Sequence, residues 1–437
     1  MHSIWTESVT RPAFPALEGN HKTDVLIVGG GITGVLCAYM LHRAGVDFML
    51  VEADRVCAGV TGNTTAKITL QHGLSYDRLI RKFGIEQAKG YYQAQSEACA
   101  VYERLATEIP CDYEKKDSYV YSLRDRKGIE REVSALARIG CPAELTDAPA
   151  LPFSVAGAVR IGGQAQMNPL KLLLTLAKGL PIYENTKAVF LAPHKVTTNR
   201  GEITCKKMIV ATHFPILNKY GGYFLKLYQH RSYVLALENG PRMDGMYVDE
   251  AMAGLSFRNY QNMLLLGGGS HRTGKKGGAW EELAAFARAH YPQAKPVCRW
   301  ATQDCMTLDG IPYIGRYAKS TADLYVATGF NKWGMTSAMV AAMLLTDLVQ
   351  GKENAYVPLF SPTRGMLHPQ LAINIFSSLV GLLTPTAPRC PHLGCALKYN
   401  SAEHTWDCPC HGSRFTEKGG LIEGPATDDK SGMPRKK

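Results

Sequence analysis

Four residues near the C-terminus of the chain have the types and the spacing that a metal centre needs. Two short loops carry them, reading C-P-H-L-G-C from Cys390 and C-P-C-H-G-S from Cys408. Each loop offers one thiolate and one imidazole, so the candidate ligands are Cys390, His392, Cys408 and His411. Two cysteines on one iron and two histidines on the other form a ligand set for a [2Fe–2S] cluster. A Cys2His2 zinc site uses the same residue types and stays open as the alternative.

A glycine-rich turn near the N-terminus has the residues that bind a dinucleotide. Gly29, Gly31 and Gly34 follow the apolar run D-V-L-I-V and precede a helical pattern. Glycines at this spacing permit a tight turn and a close approach of a pyrophosphate, which the helix N-terminus attracts. Glu52 ends the next apolar run, where a carboxylate accepts a hydrogen bond from a ribose hydroxyl and disfavours the extra phosphate of NADP. The motif alone leaves FAD and NAD both open.

The elements that position these residues follow an α/β pattern. The apolar run before the glycines, the helix after them and a second apolar run at 48–51 form one βαβ unit. Further buried strands are predicted at 208–211 and 324–327, and the second leads into a long apolar helix at 335–349. Strand-like segments at about 223–270 predict a mostly antiparallel sheet.

Length and composition suit an enzyme of two or three domains. The chain has 437 residues, of which 46% are hydrophobic and 20% are charged, as is typical of globular proteins. The formal net charge is +11, but the basic residues are scattered, so we expect no nucleic-acid binding. A charge of this sign favours an anionic substrate or an acidic electron partner.

The sequence predicts a cytoplasmic protein without a membrane span. It contains no apolar stretch of the length, about 18 residues, that a spanning helix needs. The apolar segment 371–383 is shorter, and we expect it to form a helix that packs on the protein body. The first residues lack the basic and then apolar pattern of a signal peptide.

Five motifs carry a family resemblance over about residues 20–355. They read D-V-L-I-V-G-G-G-I-T-G, G-V-T-G-N-T-T-A-K-I-T, M-I-V-A-T-H, D-G-I-P-Y-I-G and A-T-G-F-N-K-W-G-M-T. With them the chain resembles the FAD-dependent D-amino-acid oxidase superfamily, in the branch that contains glycine oxidase, monomeric sarcosine oxidase and γ-glutamylputrescine oxidoreductase. The resemblance implies an α/β fold, α+β when the whole chain is counted, in which a Rossmann-type FAD-binding domain is interleaved with an antiparallel-sheet substrate domain.

The same resemblance assigns the contacts of FAD. It places the ADP half on Gly29, Gly31, Gly34 and Glu52, with the backbone of Val189 at the adenine. The residues implied at the isoalloxazine are Asn63, Thr64, Thr65, Gly329, Trp333, Gly334, Met335 and Thr336. Thr336 would lie at a helix N-terminus, whose dipole stabilises an anionic reduced flavin. Thr302 stands where some sarcosine oxidases attach FAD through a cysteine, so the FAD is expected to be non-covalent.

Candidate catalytic residues lie beside the implied flavin and in the predicted substrate sheet. Arg258 and Arg231 could bind a substrate carboxylate. Tyr233 and Tyr260 could line the pocket, and Lys67 could act next to the flavin. Each of these side chains could equally be an ordinary packing or surface residue.

The C-terminal loops resemble the Rieske proteins of respiratory cytochrome bc complexes. That resemblance implies a disulfide between Cys395 and Cys410, and a hydrogen bond from the hydroxyl of Ser413 to a cluster sulfur. A tyrosine donor of those proteins is replaced by Phe415, so a lower reduction potential is expected, because fewer hydrogen bonds reach sulfur. The loop 424–426 would shield the cluster.

The expected division of the chain has three parts. An oxidoreductase occupies about 20–362, a linker helix 363–386 and a small all-β module 387–437. Within the first part, FAD binding is expected at about 20–75, 150–215 and 300–355, and substrate binding at about 76–149 and 216–299. The module contains the cluster loops but lacks the base strands of a complete Rieske domain, so we expect it to dock on the flavin domain.

These observations predict a dehydrogenase. A small amine or amino-acid-like substrate would reduce FAD, and electrons would leave through the cluster to an external acceptor, such as an acidic ferredoxin-like protein or a quinone. One alternative reverses the flow, so that a ferredoxin feeds the cluster and the flavin reduces an unsaturated substrate. A second alternative is a redox sensor without enzymatic activity.

Overall fold

The computed structural model of the protein describes residues 2–148, 150–385 and 388–433. The predicted boundary at 386/387 and the last four residues lie outside these ranges. The helices within them are α1 (Ile4–Glu7), α2 (Ile32–Arg43), α3 (Tyr76–Phe83), α4 (Ile85–Glu108), α5 (Arg126–Arg138), α6 (Pro169–Ala177), α7 (Tyr223–Lys226), α8 (Ala279–His290), α9 (Gly334–Val349), α10 (Val357–Phe360) and α11 (Pro369–Leu383). A 3₁₀ helix covers Val60–Asn63.

The strands form three sheets. They are β1 (His21–Val28), β2 (Phe48–Val51), β3 (Lys67–Ile68), β4 (Glu114–Ser122), β5 (Glu144–Thr146), β6 (Gly157–Gln166), β7 (Ile182–Tyr183), β8 (Ala188–Ala192), β9 (Lys195–Thr198), β10 (Gly201–Val210), β11 (Leu227–Glu238), β12 (Gly245–Asp249), β13 (Ser256–Tyr260), β14 (Met263–Arg272), β15 (Lys295–Thr307), β16 (Tyr313–Arg316), β17 (Leu324–Thr328), β18 (Lys398–Asn400), β19 (Thr405–Asp407), β20 (Arg414–Thr416) and β21 (Leu421–Glu423).

The first sheet is a parallel sheet of the Rossmann type. Its main order is β16-β17-β10-β1-β2-β7, and the hairpin β8–β9 extends from β10. Strands β1, β2, β7, β10 and β17 run parallel, whereas the edge strand β16 and the hairpin β8–β9 pair antiparallel. The strands are buried on both faces, because α2 and α9 pack on one face in one apolar core and a second apolar core covers the other face. This sheet confirms the predicted fold class.

The second sheet is nearly all antiparallel and holds the predicted substrate region. Its main order is β15-β11-β14-β13-β12-β4-β6-β3, and only β12 and β4 pair in parallel. The long strand β11 pairs with both β14 and β15. The first part expected to bind substrate, about 76–149, supplies α3, α4 and α5 and also β4 and β5.

The third sheet forms the C-terminal module. Its four short strands, β18 to β21, are antiparallel and neighbour one another in chain order. Only a few residues form its apolar core: the four cysteines of the loops with Leu397, Trp406, Phe415 and Ala426. A core of this size stabilises little structure alone, so packing against the rest of the chain matters.

Helix α11 precedes the module and differs from expectation. We expected an apolar helix packed on the protein body, and the structure buries only a narrow face of it, through Asn374 and Gly381. Most of its large apolar side chains point outward, as Phe376 shows with 68% exposure. Within the described ranges, no helix has the length and apolar character that crossing a bilayer requires.

Candidate functional site

A cavity of about 650 Å³, the central cavity, is lined by residues from both large sheets. The sequence-predicted site residues that line it are Gly31, Thr64, Thr65, Lys67, Tyr233, Gly329, Trp333, Gly334 and Met335. The others lie behind this wall or elsewhere. Val189 is half exposed on β8, and the side-chain amide of Asn63 donates to Gly59 O at 3.2 Å.

The glycine-rich turn joins β1 to α2 at the edge of the central cavity. A Cβ on Gly34 would lie 1.9 Å from Gly29 O, so only glycine allows the helix to approach the strand this closely. The Glu52 carboxylate accepts a hydrogen bond from Gly30 N at 2.6 Å. Burial raises the pKa of Glu52, against the hydrogen bonds from Asp54 and Gly30 that lower it. The turn therefore has the geometry of a dinucleotide site with its acidic residue already in place.

The N-terminus of α9 forms another wall of the central cavity. The His72 ring stacks on Trp333 with centroids 5.0 Å apart, and its Nε2 lies 3.0 Å from Thr336 Oγ1. Asn331 and Lys332 adopt φ values of 50° and 72°. Consecutive non-glycine residues in this region cost free energy and cluster at functional sites.

Three lysines line the central cavity, Lys67, Lys82 and Lys332, and the last two were not predicted. Burial, with repulsion from Arg258, lowers the pKa of Lys67 to about 7. Its Nζ lies 3.3 Å from Thr65 Oγ1. Burial also lowers the pKa of Lys332, whose Nζ donates to Met252 O at 2.9 Å. Lys332 lies within the motif A-T-G-F-N-K-W-G-M-T, which the sequence analysis identified without assigning a role to this lysine.

Arg258 is buried beside the central cavity and does not line it. Its Nη1 donates to Thr65 O at 2.6 Å and to Ala66 O at 2.9 Å, and its Nη2 is buried without a partner among the described residues. Burial lowers the pKa of Arg258 to about 9. The structure therefore places this guanidinium on the loop that carries Thr65, where it holds the cavity wall.

Arg231 binds carboxylates, but they belong to the chain itself. Its guanidinium reaches Glu403 at 2.5 Å and Glu423 at 2.8 Å, and both acids lie in the C-terminal module. Tyr233 points the same way, with its hydroxyl 3.2 Å from Glu403 Oε1 and 2.9 Å from His271 Nε2. The expectation that Arg231 binds a substrate carboxylate is wrong, because β11 turns this side chain toward the module.

A buried ionic cluster joins the two domains at this point. Its members are Arg231 of the flavin domain and Glu403, Asp407, Arg414 and Glu423 of the module. Burial acts to raise the pKa of Glu403, but Arg231 and Arg414 outweigh it and the pKa falls. The same two arginines lower the pKa of Glu423, so Glu403 and Glu423 are ionised, and each guanidinium is held by more than one carboxylate.

The predicted cluster ligands come together in the C-terminal loops. The rings of His392 and His411 lie 4.9 Å apart, and the thiol of Cys390 lies next to that of Cys408. Both imidazole Nδ1 atoms are buried without a hydrogen-bond partner in the described part of the chain. Burial lowers the pKa of His392 to about 3 and of His411 to about 4. Neutral rings with a free nitrogen are what a metal ion requires.

The other nitrogen of each ring is held by the flavin domain. His392 Nε2 lies 3.0 Å from Asn218 Oδ1, and His411 Nε2 lies 3.0 Å from Phe224 O. Because both partners accept, each ring carries its proton on Nε2 and leaves Nδ1 for a metal. The Phe214 ring packs against His392 and His411, with centroids 6.3 and 6.2 Å away.

The second cysteines of the loops lie next to the ligands. The sulfur atoms of Cys395, Cys408 and Cys410 lie within 4.8 Å of one another. Cys395 and Cys410 are free thiols in the structure, so the implied disulfide is not shown. Ser413 is buried, and its hydroxyl accepts a hydrogen bond from Ala426 N at 3.1 Å, which fastens the predicted shielding loop.

One more side chain links the central cavity to the cluster loops. Gln303 lines the cavity, and its Nε2 donates to Gly412 O at 2.9 Å. His213 also lines the cavity and immediately precedes Phe214. Sequence reasoning missed Gln303, Phe214 and Asn218. The only available signal was the motif M-I-V-A-T-H, which ends at His213.

Comparison with known proteins agrees with this arrangement. The family model described as "FAD dependent oxidoreductase" matches residues 24–348, and the model described as "Rieske [2Fe-2S] domain" matches residues 372–434. YhfW of Bacillus subtilis (strain 168), named as a Rieske 2Fe-2S iron-sulfur protein, is 36% identical over 97% of this chain and 96% of its own length. The γ-glutamylputrescine oxidoreductase of Escherichia coli (strain K12) is 26% identical over 77% of this chain and 86% of its own.

Solved structures show the same fold. Glycine oxidase from Geobacillus kaustophilus has a TM-score of 0.67 at 23% identity, over 79% of this chain and 100% of that chain. L-proline dehydrogenase from P. horikoshii has a TM-score of 0.67 at 17% identity, over 80% of this chain and 98% of that chain.

Both implied cofactors fit the residues present. The open central cavity beside a glycine turn and a preset Glu52 suits FAD. Two free imidazole nitrogens beside neighbouring thiols suit a [2Fe–2S] cluster. The family match covers most of the chain, and the second match covers the loops that hold the cluster ligands. The chain belongs to the family of FAD dependent oxidoreductases and carries a Rieske [2Fe-2S] domain in its C-terminal part.

Proposed function

We propose that this chain is a dehydrogenase that oxidises a small amine or amino-acid-like substrate and delivers the electrons through its cluster to an external acceptor. The names of its relatives and structural neighbours support the substrate class, since they include γ-glutamylputrescine oxidoreductase, glycine oxidase and L-proline dehydrogenase. When bound, FAD accepts a hydride from a substrate carbon, and the cluster carries one electron at a time.

The observation that carries this proposal is the contact between the cluster histidines and the wall of the central cavity. Phe214 touches both histidine rings and follows His213, which lines the cavity. Gln303 reaches from the cavity to the backbone of the second cluster loop. The cluster histidines therefore pack against the flavin domain, which is the arrangement expected when electrons pass between the flavin and the cluster.

The cavity residues have separate roles in the proposed reaction. Lys67, with a pKa lowered to about 7, can take a proton from the substrate ammonium near neutral pH. Tyr233 donates to Glu403 from the cavity wall, so it ties the substrate side to the module. Arg258 supports the Thr65 loop from behind and acts as a positioning residue.

The test is an anaerobic reduction of the holoprotein with a panel of amines and amino acids. Visible absorption follows the flavin, and EPR follows the reduced cluster. We expect an active substrate to bleach the flavin and then produce the Rieske signal. Stoichiometric hydrogen peroxide in air, with the cluster left oxidised, would contradict the proposal. Bleaching only through reduced ferredoxin would support the reversed flow, and no reaction with any donor would support a sensor.

A pair of variants sharpens this test. Phe214→Leu removes the ring between the cavity wall and the cluster histidines, and we expect slower cluster reduction after normal flavin reduction. Phe153→Leu is the matched control, because Phe153 packs in an aromatic cluster of the second sheet. Equal rates of cluster reduction in the two variants would show that Phe214 does not contribute to electron transfer from the flavin to the cluster.

The acceptor, the location and the domain division belong to the same proposal. An acidic ferredoxin-like protein suits a chain of net charge +11, and a quinone is the other acceptor to be assayed. We place the protein in the cytoplasm and divide it at about 362 and 386. The first family match ends at residue 348, and the second begins at residue 372, inside the proposed linker helix. A reducing cytoplasm would keep Cys395 and Cys410 as thiols. Titration of the thiols in denatured protein tests this, because a disulfide between the two residues would lower the number of titrated thiols.

A further inference from the structure

The outer face of α11 exposes a continuous group of large apolar side chains. With the adjoining loops, this apolar face consists of Leu367, Ile373, Ile375, Phe376, Leu379, Val380, Leu382, Leu383 and Leu393. Phe376 is 68% exposed and Leu383 is 79% exposed. Grouped exposed side chains of this kind mark interaction sites on folded proteins.

The inner side of the same helix is fastened, so the apolar face is presented in a fixed orientation. Asn374 Nδ2 donates to Leu225 O at 3.0 Å, and Asn374 Oδ1 accepts from Arg272 at 3.2 Å. A Cβ on Gly381 would lie 2.7 Å from Cys410 Sγ, so this turn of the helix packs directly on the cluster loops. Ala396 N donates to Gly381 O at 2.9 Å.

Basic residues lie at both ends of the apolar face. From residue 365 to residue 388 the chain has no Asp, Glu, Lys or Arg. Arg78 and Lys82 act electrostatically on His368 at the start of the helix, and the nearby Asp309 is already paired with Arg364 through two hydrogen bonds. At the other end, Arg389 donates to carbonyls of the last turn, including Leu382 O at 3.0 Å.

We propose that this apolar face docks the protein on the surface of an anionic lipid bilayer. A helix lying in the bilayer interface buries an apolar face while basic residues at its edge meet the lipid headgroups. The 15 residues of α11 are too few to cross a bilayer, which needs about 20, so the contact is a surface contact. Docking would set the cluster loops, which pack on α11 at Cys395 and Cys410, toward the membrane, where membrane-borne electron acceptors lie.

The charge favours a bilayer over a second copy of the chain. Each copy has a net charge of +11, so pairing two apolar faces would bring the like charges at their edges together. An anionic surface attracts those same charges. Docking goes beyond the proposed function, and it can stand or fall independently of it.

The experiment is sedimentation of the purified holoprotein with vesicles. One set contains phosphatidylcholine with about one third phosphatidylglycerol, and the other contains phosphatidylcholine alone. We expect the wild type to sediment with the anionic set, less so as salt is raised. We expect the double variant Phe376→Gln with Leu379→Gln, which changes no charge, to bind about tenfold more weakly or worse. Flavin and cluster spectra equal to the wild type would show that it is folded.

A matched control carries the same changes elsewhere. Phe190→Gln with Val297→Gln removes one aromatic and one aliphatic side chain, exposed by 63% and 45%, that lie outside the apolar face. We expect this control to sediment like the wild type. Equal loss in both double variants would mean that binding is not specific to α11, which overturns the proposal.

Two further results would also overturn it. A wild type that stays in solution with both vesicle sets, and forms dimers that the α11 double variant abolishes, would make the face a contact between copies. A monomeric wild type that binds neither set would leave a protein partner as the occupant. Substrate-driven cluster reduction is measured in solution, so a failure there would count against the proposed function and not against docking.

Discussion

The two cofactor sites of this chain are built in opposite ways. The dinucleotide turn lies inside a domain with two large sheets. Its glycines follow β1, Glu52 follows the adjacent strand β2, and Gly30 N donates a hydrogen bond to Glu52. The cluster ligands come from two adjacent loops, but their surroundings belong to another domain. Asn218, Phe224 and Arg231 of the flavin domain hold the histidines and the acids of the module.

This difference shows which site can stand alone. The flavin domain has its own core, whereas the module has few buried apolar residues. We therefore expect the module to depend on contacts with the flavin domain, and those contacts also hold the cluster histidines against the cavity wall. Stability of the module and the proposed electron entry into the cluster share one interface, so changes there should affect both together.

The sharpest way to separate the sites is to remove one ligand. We expect Cys408→Ser to abolish the visible and EPR signals of the cluster and all electron delivery to an external acceptor, because Cys408 is a buried ligand in the proposed set. FAD content and bleaching by an active substrate should persist. Cys298→Ser, at a half-buried thiol on β15, is the control and should retain both cofactors. Loss of FAD together with the cluster would show that the flavin site also depends on the module.

The next largest effect should lie in the central cavity. If Lys67 accepts the substrate proton, kcat/KM should rise with pH through about 7, because the lysine becomes neutral above its lowered pKa. Lys67→Met should lower the rate of flavin reduction by roughly 10²–10⁴-fold and remove that rise. Cluster reduction by an artificial donor should not change. A pH profile equal to that of the wild type would show that another group takes the proton.

A change at the interface should lower the stability of the module without loss of FAD from the central cavity. Arg231→Met leaves Glu403 and Glu423 short of a buried partner, which typically costs about 3–5 kcal/mol of stability. We expect the cluster absorbance to be lost at a lower temperature than in the wild type, with flavin binding less affected. Arg160→Met is the control, since its two ion pairs, with Asp117 and Glu144, lie near the surface and each is worth about 0–1 kcal/mol. If Arg231→Met lost its cluster absorbance at the same temperature as the wild type, the stability of the module would not depend on Arg231.

These two sites also differ in how far the sequence could reveal them. The glycine turn, Glu52 and the four cluster ligands were predictable because local spacing determines their chemistry. Arg231 was misassigned because its partner Glu403 lies 172 residues away, and Arg258 holds Thr65 O from 193 residues away. No local pattern specifies such pairs.

The contacts around the cluster were beyond sequence reasoning for the same reason. Phe214 and Asn218 meet His392 only because the loop after β10 folds onto the module. The apolar run predicted helix α11, but it did not predict which face of the helix would be exposed. An apolar run indicates that a helix has something to bury, and the tertiary fold decides which face stays exposed.

The smallest expected effect concerns the potential of the cluster. Phe415 is fully buried in the core formed with the cluster cysteines. We expect Phe415→Tyr to raise the reduction potential by roughly 20–60 mV, the equivalent of one hydrogen bond of about 0.5–1.5 kcal/mol for one electron. Ser413→Ala should shift the potential in the opposite direction, because it removes the hydroxyl implied to reach a sulfur. EPR-monitored redox titration measures both. If neither variant shifts the potential, hydrogen bonds from these positions do not reach the cluster sulfurs, and the surrounding flavin domain sets the potential instead.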